Sequence, residues 1–289
     1  FVDGIEKWNI TLDGEVISSP VIGPDGTIYI CSNNTIHAIE NKKEIWNVSL
    51  AADIRPKSTP AIAKDGTLYI TTMNNNLTAI NSDGEVKWSY HNRFNTYLQT
   101  TPVIGGDGTI YVTDHQDVFA FDPNGTLKWE EGRSAADVPK MGNSPVIGYD
   151  ENIYFGSEDY NLGPIFYSIN KSGELNWDYY GISNNYEEED DDISSSSAVA
   201  KDGTIYFGSA DGLYAMHSDG NVKWAFQPTD NVMLTSPAID MDGNIYTGDL
   251  EGNLYSVSTD GEKRWNYTVN TDIFSSPVIS SDGRIYFAD

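Results

Sequence analysis

The sequence predicts an all-β protein, a seven-bladed β-propeller whose blades are four-stranded antiparallel sheets. The segment SSPVIGPDGTIYI at residues 18–30 returns six more times along the 289-residue chain with small changes. Its tyrosine recurs at intervals of 40, 42, 43, 52, 40 and 40 residues, and a strand-rich period near 40 is typical of propeller blades. The seven tyrosines are Tyr29, Tyr69, Tyr111, Tyr154, Tyr206, Tyr246 and Tyr286.

The tryptophans give a second, independent count of seven. The later half of each repeat follows a pattern such as VFAFDPNGTLKW, which ends at Trp129. All 7 tryptophans of the chain occupy this position, one in each repeat and none elsewhere. They are Trp8, Trp46, Trp88, Trp129, Trp177, Trp224 and Trp265.

Each repeat divides into four short strands, named A to D. Strand A is the Ser-Pro-Val-Ile run, and an Asp-Gly turn leads to strand B, Thr-Ile-Tyr-Ile. A hairpin leads to strand C, and a second Asp-Gly turn leads to strand D, which contains the tryptophan. Glycine adopts the positive φ angles that tight hairpins require. The inner strands are apolar at consecutive positions, as expected where both faces of a blade are buried.

The two ends of the chain complement each other. The C-terminus supplies strands A and B of a repeat, and the opening FVDGIEKW supplies the matching C–D turn and strand D. A blade closed by both termini would leave no free sheet edge. The sequence therefore predicts one propeller domain over residues 1–289, with repeats at about 18–48, 58–90, 100–130, 143–178, 195–226, 235–267 and 275–289 plus 1–12.

The charge balance restricts the possible partners. The chain has 43 acidic against 17 basic residues, a net charge of −26, which opposes binding to nucleic acid or to an anionic lipid surface. No apolar run is long enough to span a membrane, so no membrane span is expected. The single cysteine, Cys31, excludes an intrachain disulfide. Seven Asn-x-Ser/Thr triplets fit either chance or N-glycosylation of a protein outside the cytoplasm.

At these repeats the chain resembles the PQQ-like (pyrroloquinoline-quinone-like) repeat propeller family. The repeat tail of that family is similar to residues 79–88, AINSDGEVKW, which is one residue shorter. The family includes quinoprotein dehydrogenases and outer-membrane-assembly scaffold lipoproteins, which bind no quinone. Its members usually have eight blades, so seven is a departure. The resemblance implies that the seven tryptophans are structural and dock each blade against its neighbour.

The resemblance also offers an enzymatic alternative, a PQQ-dependent dehydrogenase. Its members hold PQQ on an aromatic floor, often under a vicinal disulfide, with Ca²⁺ bound by Glu, Asn and Asp. This chain has no Cys-Cys pair, and its four histidines (His37, His91, His115 and His217) lie in different repeats without metal-ligand spacing. We therefore predict no catalytic residues and no cofactor, with PQQ and Ca²⁺ reserved for the alternative. The sequence does not identify metal ligands, and whether the protein binds a metal ion stays an open question at this point.

The repeats differ most in the D–A connectors and B–C hairpins, which a four-stranded meander places at one end of each blade. Basic residues follow the first three blades, and the acidic run at residues 187–192 follows the fourth. This pattern predicts a binding face with separated charges, although solvated loops and unrelated surface charges explain it equally. The candidate residues are Arg55, Lys57, His91, Arg93, Tyr97, Arg133, Lys140, Asp159, Tyr160, Tyr186, Glu187 and Asp190.

Three functions follow from these observations. The first is a non-catalytic propeller that binds a protein or glycan partner, in an extracytoplasmic or cell-surface location. The second is the PQQ-dependent dehydrogenase with an atypical site. The third is a purely structural module of a larger cell-surface protein.

Overall fold

The computed structural model shows an all-β chain, and it describes residues 8–54, 58–92, 98, 100–114, 117–132, 143–159, 163–180, 195–209, 211–228 and 234–288. These residues form 26 strands in seven antiparallel sheets, six with four strands and one with two. The seven sheets are those of a seven-bladed β-propeller, as the repeats predict. In this part of the chain no helix has the length and apolar character needed to cross a membrane.

The chain divides into two compact units, and the first, Phe1–Glu130, holds three sheets. Sheet 1 contains β1 (Val21–Ile22), β2 (Ile28–Ser32), β3 (Thr35–Glu40) and β4 (Lys43–Ser49). Sheet 2 contains β5 (Ala61–Ile62), β6 (Leu68–Thr71), β7 (Asn76–Ile80) and β8 (Val86–His91). Sheet 3 contains β9 (Val103–Ile104), β10 (Ile110–Thr113), β11 (Asp117–Phe121) and β12 (Leu127–Gly132).

The second unit, Glu131–Asp289, holds four sheets. Sheet 4 contains β13 (Val146–Ile147), β14 (Ile153–Asp159), β15 (Gly163–Ile169) and β16 (Leu175–Tyr179). Sheet 5 contains β17 (Ala198–Val199), β18 (Ile205–Ser209), β19 (Gly212–Met216) and β20 (Val222–Phe226). Sheet 6 contains β21 (Ala238–Ile239), β22 (Ile245–Gly248), β23 (Asn253–Val257) and β24 (Lys263–Thr268), and sheet 7 contains β25 (Val278–Ile279) and β26 (Ile285–Tyr286).

Sheet 7 bears on the predicted closure by both termini. Its described residues form strands A and B only. The FVDGIEK segment at residues 1–7 lies outside the described residues, so closure of this sheet by the N-terminus stays a prediction. The single domain over residues 1–289 likewise stays a prediction.

Strand A is extended by a hydroxyl group that the sequence analysis did not single out. Only two residues of strand A pair with strand B in each sheet, but a serine or threonine just before them bonds the backbone 13 residues later. The hydroxyl oxygen accepts the N–H at 2.6–3.1 Å in five sheets. The pairs, hydroxyl first, are Ser18–Cys31, Thr100–Thr113, Ser195–Gly208, Thr235–Gly248 and Ser275–Ala288.

In the Asp-Gly turns between strands A and B, the aspartate carboxylate accepts a backbone hydrogen bond and in three sheets also forms an ion pair. The aspartate accepts the N–H of the residue two positions later, as Asp202 does from Thr204 at 3.0 Å. The backbone N–H of Thr204 is the main reason that the pKa of Asp202 lies below its usual value. In three sheets the lysine before the tryptophan ion-pairs with this aspartate, at 3.6–3.9 Å. The pairs are Lys87–Asp65, Lys128–Asp107 and Lys223–Asp202.

The tryptophans connect consecutive sheets within each unit. The indole N–H donates to a carbonyl in the C–D turn of the next sheet at 2.8–2.9 Å, and the turn glycine lies on the ring. The pairs are Trp46–Ser82, Trp88–Pro123, Trp177–Ser218 and Trp224–Thr259. Trp177 is half-buried, because it lies on β16, the outermost strand of its sheet.

Apolar cores fill the space between these sheets. In the first unit, Ile36 and Ala38 of sheet 1 pack with Leu68, Ile70 and Ile80 of sheet 2. In the second unit, Phe166 of sheet 4 stacks on Phe207 of sheet 5 with ring centroids 4.0 Å apart. The apolar residues of strands B and C therefore form the cores between sheets. Binding sites can form only at the two ends of the strands, where the turns and connectors lie.

Candidate functional site

The structure describes only part of the binding face predicted from the loops. His91 and Asp159 are among the described residues. His91 is the exposed last residue of β8, where its Nδ1 lies 2.8 Å from Asn76 Oδ1, and Asp159 ends β14, where it pairs with Gly163. The other ten candidates lie outside the described residues: Arg55, Lys57, Arg93, Tyr97, Arg133, Lys140, Tyr160, Tyr186, Glu187 and Asp190. The face with separated charges therefore stays a prediction.

A cluster around Asp211 lies at the same end of sheets 4 and 5, in the hairpin between β18 and β19. Asp211 Oδ2 accepts the hydroxyl of Tyr214 at 2.8 Å, while Asp211 Oδ1 is buried and has no hydrogen-bond partner in the described part of the chain. Burial raises the pKa of Asp211. Burial and the charge of Asp211 together raise the pKa of Tyr179 on the neighbouring strand β16. Ionisation of Asp211 is therefore less favourable in this cluster than in water.

This raised pKa has a consequence for stability. When the pKa of a carboxyl is higher in the folded than in the unfolded protein, its contribution to the free energy of unfolding is fully present below the unfolded-state pKa of about 4. This contribution is lost as the pH rises toward the folded-state pKa. We therefore expect the free energy of unfolding of the wild type to fall relative to Asp211→Asn from about pH 4 upward. Urea unfolding of both proteins across this range measures the difference.

Asp219 provides a control in which the free energy of unfolding should depend on pH with the opposite sign. The backbone N–H of Asn221 holds its pKa below the usual value, so its contribution is present above the unfolded pKa and is lost as pH falls. The difference between the wild type and Asp219→Asn should therefore shrink toward low pH. A wild-type minus Asp211→Asn difference that is flat with pH would contradict the raised pKa.

His37 forms a chain of polar contacts that its position in the sequence does not indicate. In β3, its Nε2 lies 2.7 Å from Ser32 Oγ, and its Nδ1 lies 3.4 Å from Glu44 Oε2. The Ser32 hydroxyl also donates to the carbonyl of Asp13 at 2.7 Å. The order Ser–His–Glu resembles a nucleophile with its base, but Ser32 is 0% exposed and His37 is 3% exposed. No substrate reaches this hydroxyl, so the chain of contacts is structural.

A cavity lies at the opposite end of the sheets, between the A–B turns of sheets 4, 5 and 6. Its volume is about 370 Å³, within the range of ligand pockets. Tyr149, Lys201 and Met241 occupy equivalent positions at the tips of these three turns, each directly before the turn aspartate. Tyr149 is 70% exposed and Met241 is 83% exposed. The cavity thus has an apolar rim that the sequence analysis did not predict.

Of the charged side chains around this cavity, two carboxylates already bind other side chains of the protein. Asp202 is paired with Lys223, and Asp240 Oδ2 accepts both the Tyr246 hydroxyl at 2.9 Å and the Asn244 amide at 2.8 Å. Lys201 and Asp242 also line the cavity, and the structure shows no ion pair for either among the described residues. The cavity can therefore offer an incoming group two apolar side chains, one cation and one carboxylate.

The quinone alternative needs an aromatic floor and a Ca²⁺ site. An aromatic floor would need an indole face, but the four tryptophans that contact the next sheet carry a turn glycine on the ring. Among the described residues no group of three or more His, Cys, Asp or Glu side chains is placed to hold a metal ion. The absence of a cofactor, and the PQQ and Ca²⁺ of the alternative, stay predictions.

The repeats, the seven sheets and the tryptophan contacts together define a PQQ-like repeat β-propeller. The family model described as outer membrane protein assembly factor BamB matches residues 32–224 and 199–289. The chain belongs to this family. No curated protein matches the chain in sequence.

Solved structures extend the likeness to the whole fold. BamB from Moraxella catarrhalis is 15% identical with a TM-score of 0.73, covering 96% of this chain and 81% of that one. Virginiamycin B lyase from Staphylococcus aureus, as the selenomethionine protein, is 15% identical with a TM-score of 0.72, covering 96% and 92%. A streptogramin B lyase is 15% identical with a TM-score of 0.69, covering 98% and 93%. At this identity the likeness concerns the fold alone, which BamB and the lyases share.

Proposed function

We propose that this chain is a non-catalytic scaffold propeller that binds a protein partner outside the cytoplasm. Membership of a family described as an outer membrane assembly factor supports a role in protein assembly and an extracytoplasmic location. The net charge of −26 favours a partner surface that is basic overall. Fractionation of the source cells with an antibody against this chain tests the location.

The observation that carries the proposal is the cavity between the A–B turns of sheets 4 to 6. Turn tips are usually polar, yet Tyr149 and Met241 expose large apolar side chains beside a cavity of about 370 Å³. Tyrosine and methionine are enriched in protein interfaces, because tyrosine buries a large area and methionine adapts its shape. The arrangement fits an apolar side chain of the partner inserted between them, with Lys201 and Asp242 pairing at the sides.

Removing the apolar rim should weaken partner binding. We expect Tyr149→Ser combined with Met241→Ser to lower affinity by at least about tenfold, because two central apolar contacts are lost. The partner is first identified by photo-crosslinking from position 149 or 241 in the native cell envelope. Its affinity for the purified variants is then measured by calorimetry.

Lys64 provides the matched control, since it occupies the same tip position in the A–B turn of sheet 2. Lys64→Ser should bind the partner as the wild type does, and a photo-crosslinker at position 64 should capture nothing. If the double variant at Tyr149 and Met241 keeps wild-type affinity, the cavity is not the docking site. Competition of the crosslink by a soluble oligosaccharide would instead indicate a glycan partner.

A further inference from the structure

The C–D turn of sheet 3 contains an Asn-x-Ser/Thr triplet and differs in sequence from the corresponding turns of other sheets. It reads Asn124-Gly125-Thr126. The same three positions in sheets 2, 4, 5 and 6 read DGE, SGE, DGN and DGE, at residues 83–85, 172–174, 219–221 and 260–262. Sheet 3 therefore departs from these repeats at both residues that define the triplet. The turn forms with the other sequences, so turn formation does not require Asn and Thr together.

Contacts on both sides of Asn124 hold this turn in place. Trp88 of sheet 2 donates its indole N–H to the carbonyl of Pro123 at 2.9 Å, and Gly125, with a φ of +89°, lies on the indole ring. Asp122 Oδ1 accepts the backbone N–H of Asn124 at 2.9 Å. Asn124 itself is exposed. The turn therefore presents this asparagine to solvent from a fixed backbone.

The side-chain oxygen of Asn124 is bonded within the triplet. Asn124 Oδ1 accepts the hydroxyl of Thr126 at 2.6 Å and the backbone N–H of Thr126 at 3.0 Å. The structure shows no partner for Asn124 Nδ2 among the described residues. Thr126 is exposed as well. The amide nitrogen and the hydroxyl group of the triplet therefore lie together at the surface.

Two other triplets of the chain show the contrast. In the triplet that begins at Asn76, the asparagine is half-buried and Thr78, which carries the hydroxyl group, is only 5% exposed. In the triplet that begins at Asn170, the asparagine is also half-buried, and its Nδ2 donates to Glu174 Oε2 at 2.9 Å. A group attached to either amide nitrogen would have to displace contacts of the folded chain, whereas one attached to Asn124 would extend into solvent.

We propose that Asn124 carries an N-linked oligosaccharide, an inference that rests on the extracytoplasmic location of the proposed function. The Asn-x-Ser/Thr triplet is the acceptor of N-glycosylation and is used on surface loops. Asn124 Nδ2 forms a bond to the anomeric carbon of a lipid-diphosphate-linked oligosaccharide, Nδ2 loses one proton, and the lipid diphosphate leaves. A transferase of the cell envelope supplies the donor. The attached sugar is bulky and hydrophilic, so it keeps this turn of sheet 3 from forming a protein interface.

Glycopeptide mapping of the chain purified from the envelope of the source cells tests the proposal. We expect the tryptic peptide 94–128, whose one triplet begins at Asn124, to carry a sugar chain that fragmentation locates on this asparagine. Thr126→Ala should remove the sugar, and Thr126→Ser should retain it, because the acceptor needs a hydroxyl group at this position. The control is the tryptic peptide 65–87, in which Asn76 should be unmodified.

Four results would overturn the proposal. An unmodified Asn124 in chain recovered from the envelope would do so and leave the extracytoplasmic location standing, whereas recovery of the chain from the cytoplasm would overturn both. A sugar that persists in the Thr126→Ala protein would show that the triplet is not the acceptor. Equal occupancy of Asn76 and Asn124 would show that exposure on the turn plays no part. None of these outcomes bears on the Tyr149 and Met241 cavity.

Discussion

Replacing Trp177 with alanine is expected to lower the free energy of unfolding by about 3 kcal/mol, near the lower end for a core tryptophan because the side chain is half-buried. Three contacts are lost together. The indole N–H no longer donates to the Ser218 carbonyl at 2.8 Å, the glycine of the next C–D turn loses the ring on which it lies, and Phe166 loses its neighbour at 6.2 Å. Urea unfolding followed by circular dichroism measures the change.

Leu175, on the same strand as Trp177, is the control for this experiment. Its side chain is 46% exposed and makes none of these three contacts. We expect Leu175→Ala to cost less than about 1 kcal/mol, as is usual for exposed positions without special contacts. Equal losses for the two variants would mean that the indole contributes nothing beyond its place on strand D.

The sequence is sufficient to predict the strands and turns, because the residues that determine each strand and turn recur in every repeat. The tyrosine of strand B, the apolar pair of strand C and the Asp-Gly turns recur, and Gly220 takes a φ of +89° as its turn requires. One exception is Glu151, which stands where other repeats have glycine and still adopts a φ of +62°. The repeat imposes the turn even where the residue disfavours it.

The candidate sites were less predictable because they depend on which side chains become neighbours. The tips of three A–B turns meet at one cavity, but nothing in the spacing of Tyr149 and Met241 marks them as exposed. The signal was available in composition, since large apolar residues replace the usual small or charged ones at a turn tip. The repeats differ most in the D–A connectors and B–C hairpins, which lie at the other end of the sheets, so the sequence predicted the binding face there.

The hydroxyl contacts of strand A were missed for a different reason. Ser195 and Thr235 stand before strand A in the recurring segment, and their recurrence there indicates only where the strand begins. Their role depends on bonds to Gly208 and Gly248, 13 residues away, which no local pattern specifies. His37 shows the same limit, because its partner Ser32 follows from hairpin register and not from sequence spacing alone.

Replacing Gly220 with alanine is expected to cost about 3 kcal/mol, because two penalties act at one position. The φ of +89° is strained for any residue with a Cβ. The new Cβ would also lie 2.8 Å from Cδ2 of Trp177, so either the indole or the turn must shift.

Gly203 separates the two penalties. It lies in the A–B turn of the same sheet with a φ of +83°, and a Cβ there would meet nothing within 4 Å. Gly203→Ala should therefore show the backbone strain alone, about 1 kcal/mol. If the contact with the indole is the additional cost, the difference between the two glycine variants should largely disappear in a Trp177→Ala background. A difference that persists there at full size would locate the cost of Gly220→Ala in the turn itself and would remove the glycine from the contact between sheets 4 and 5.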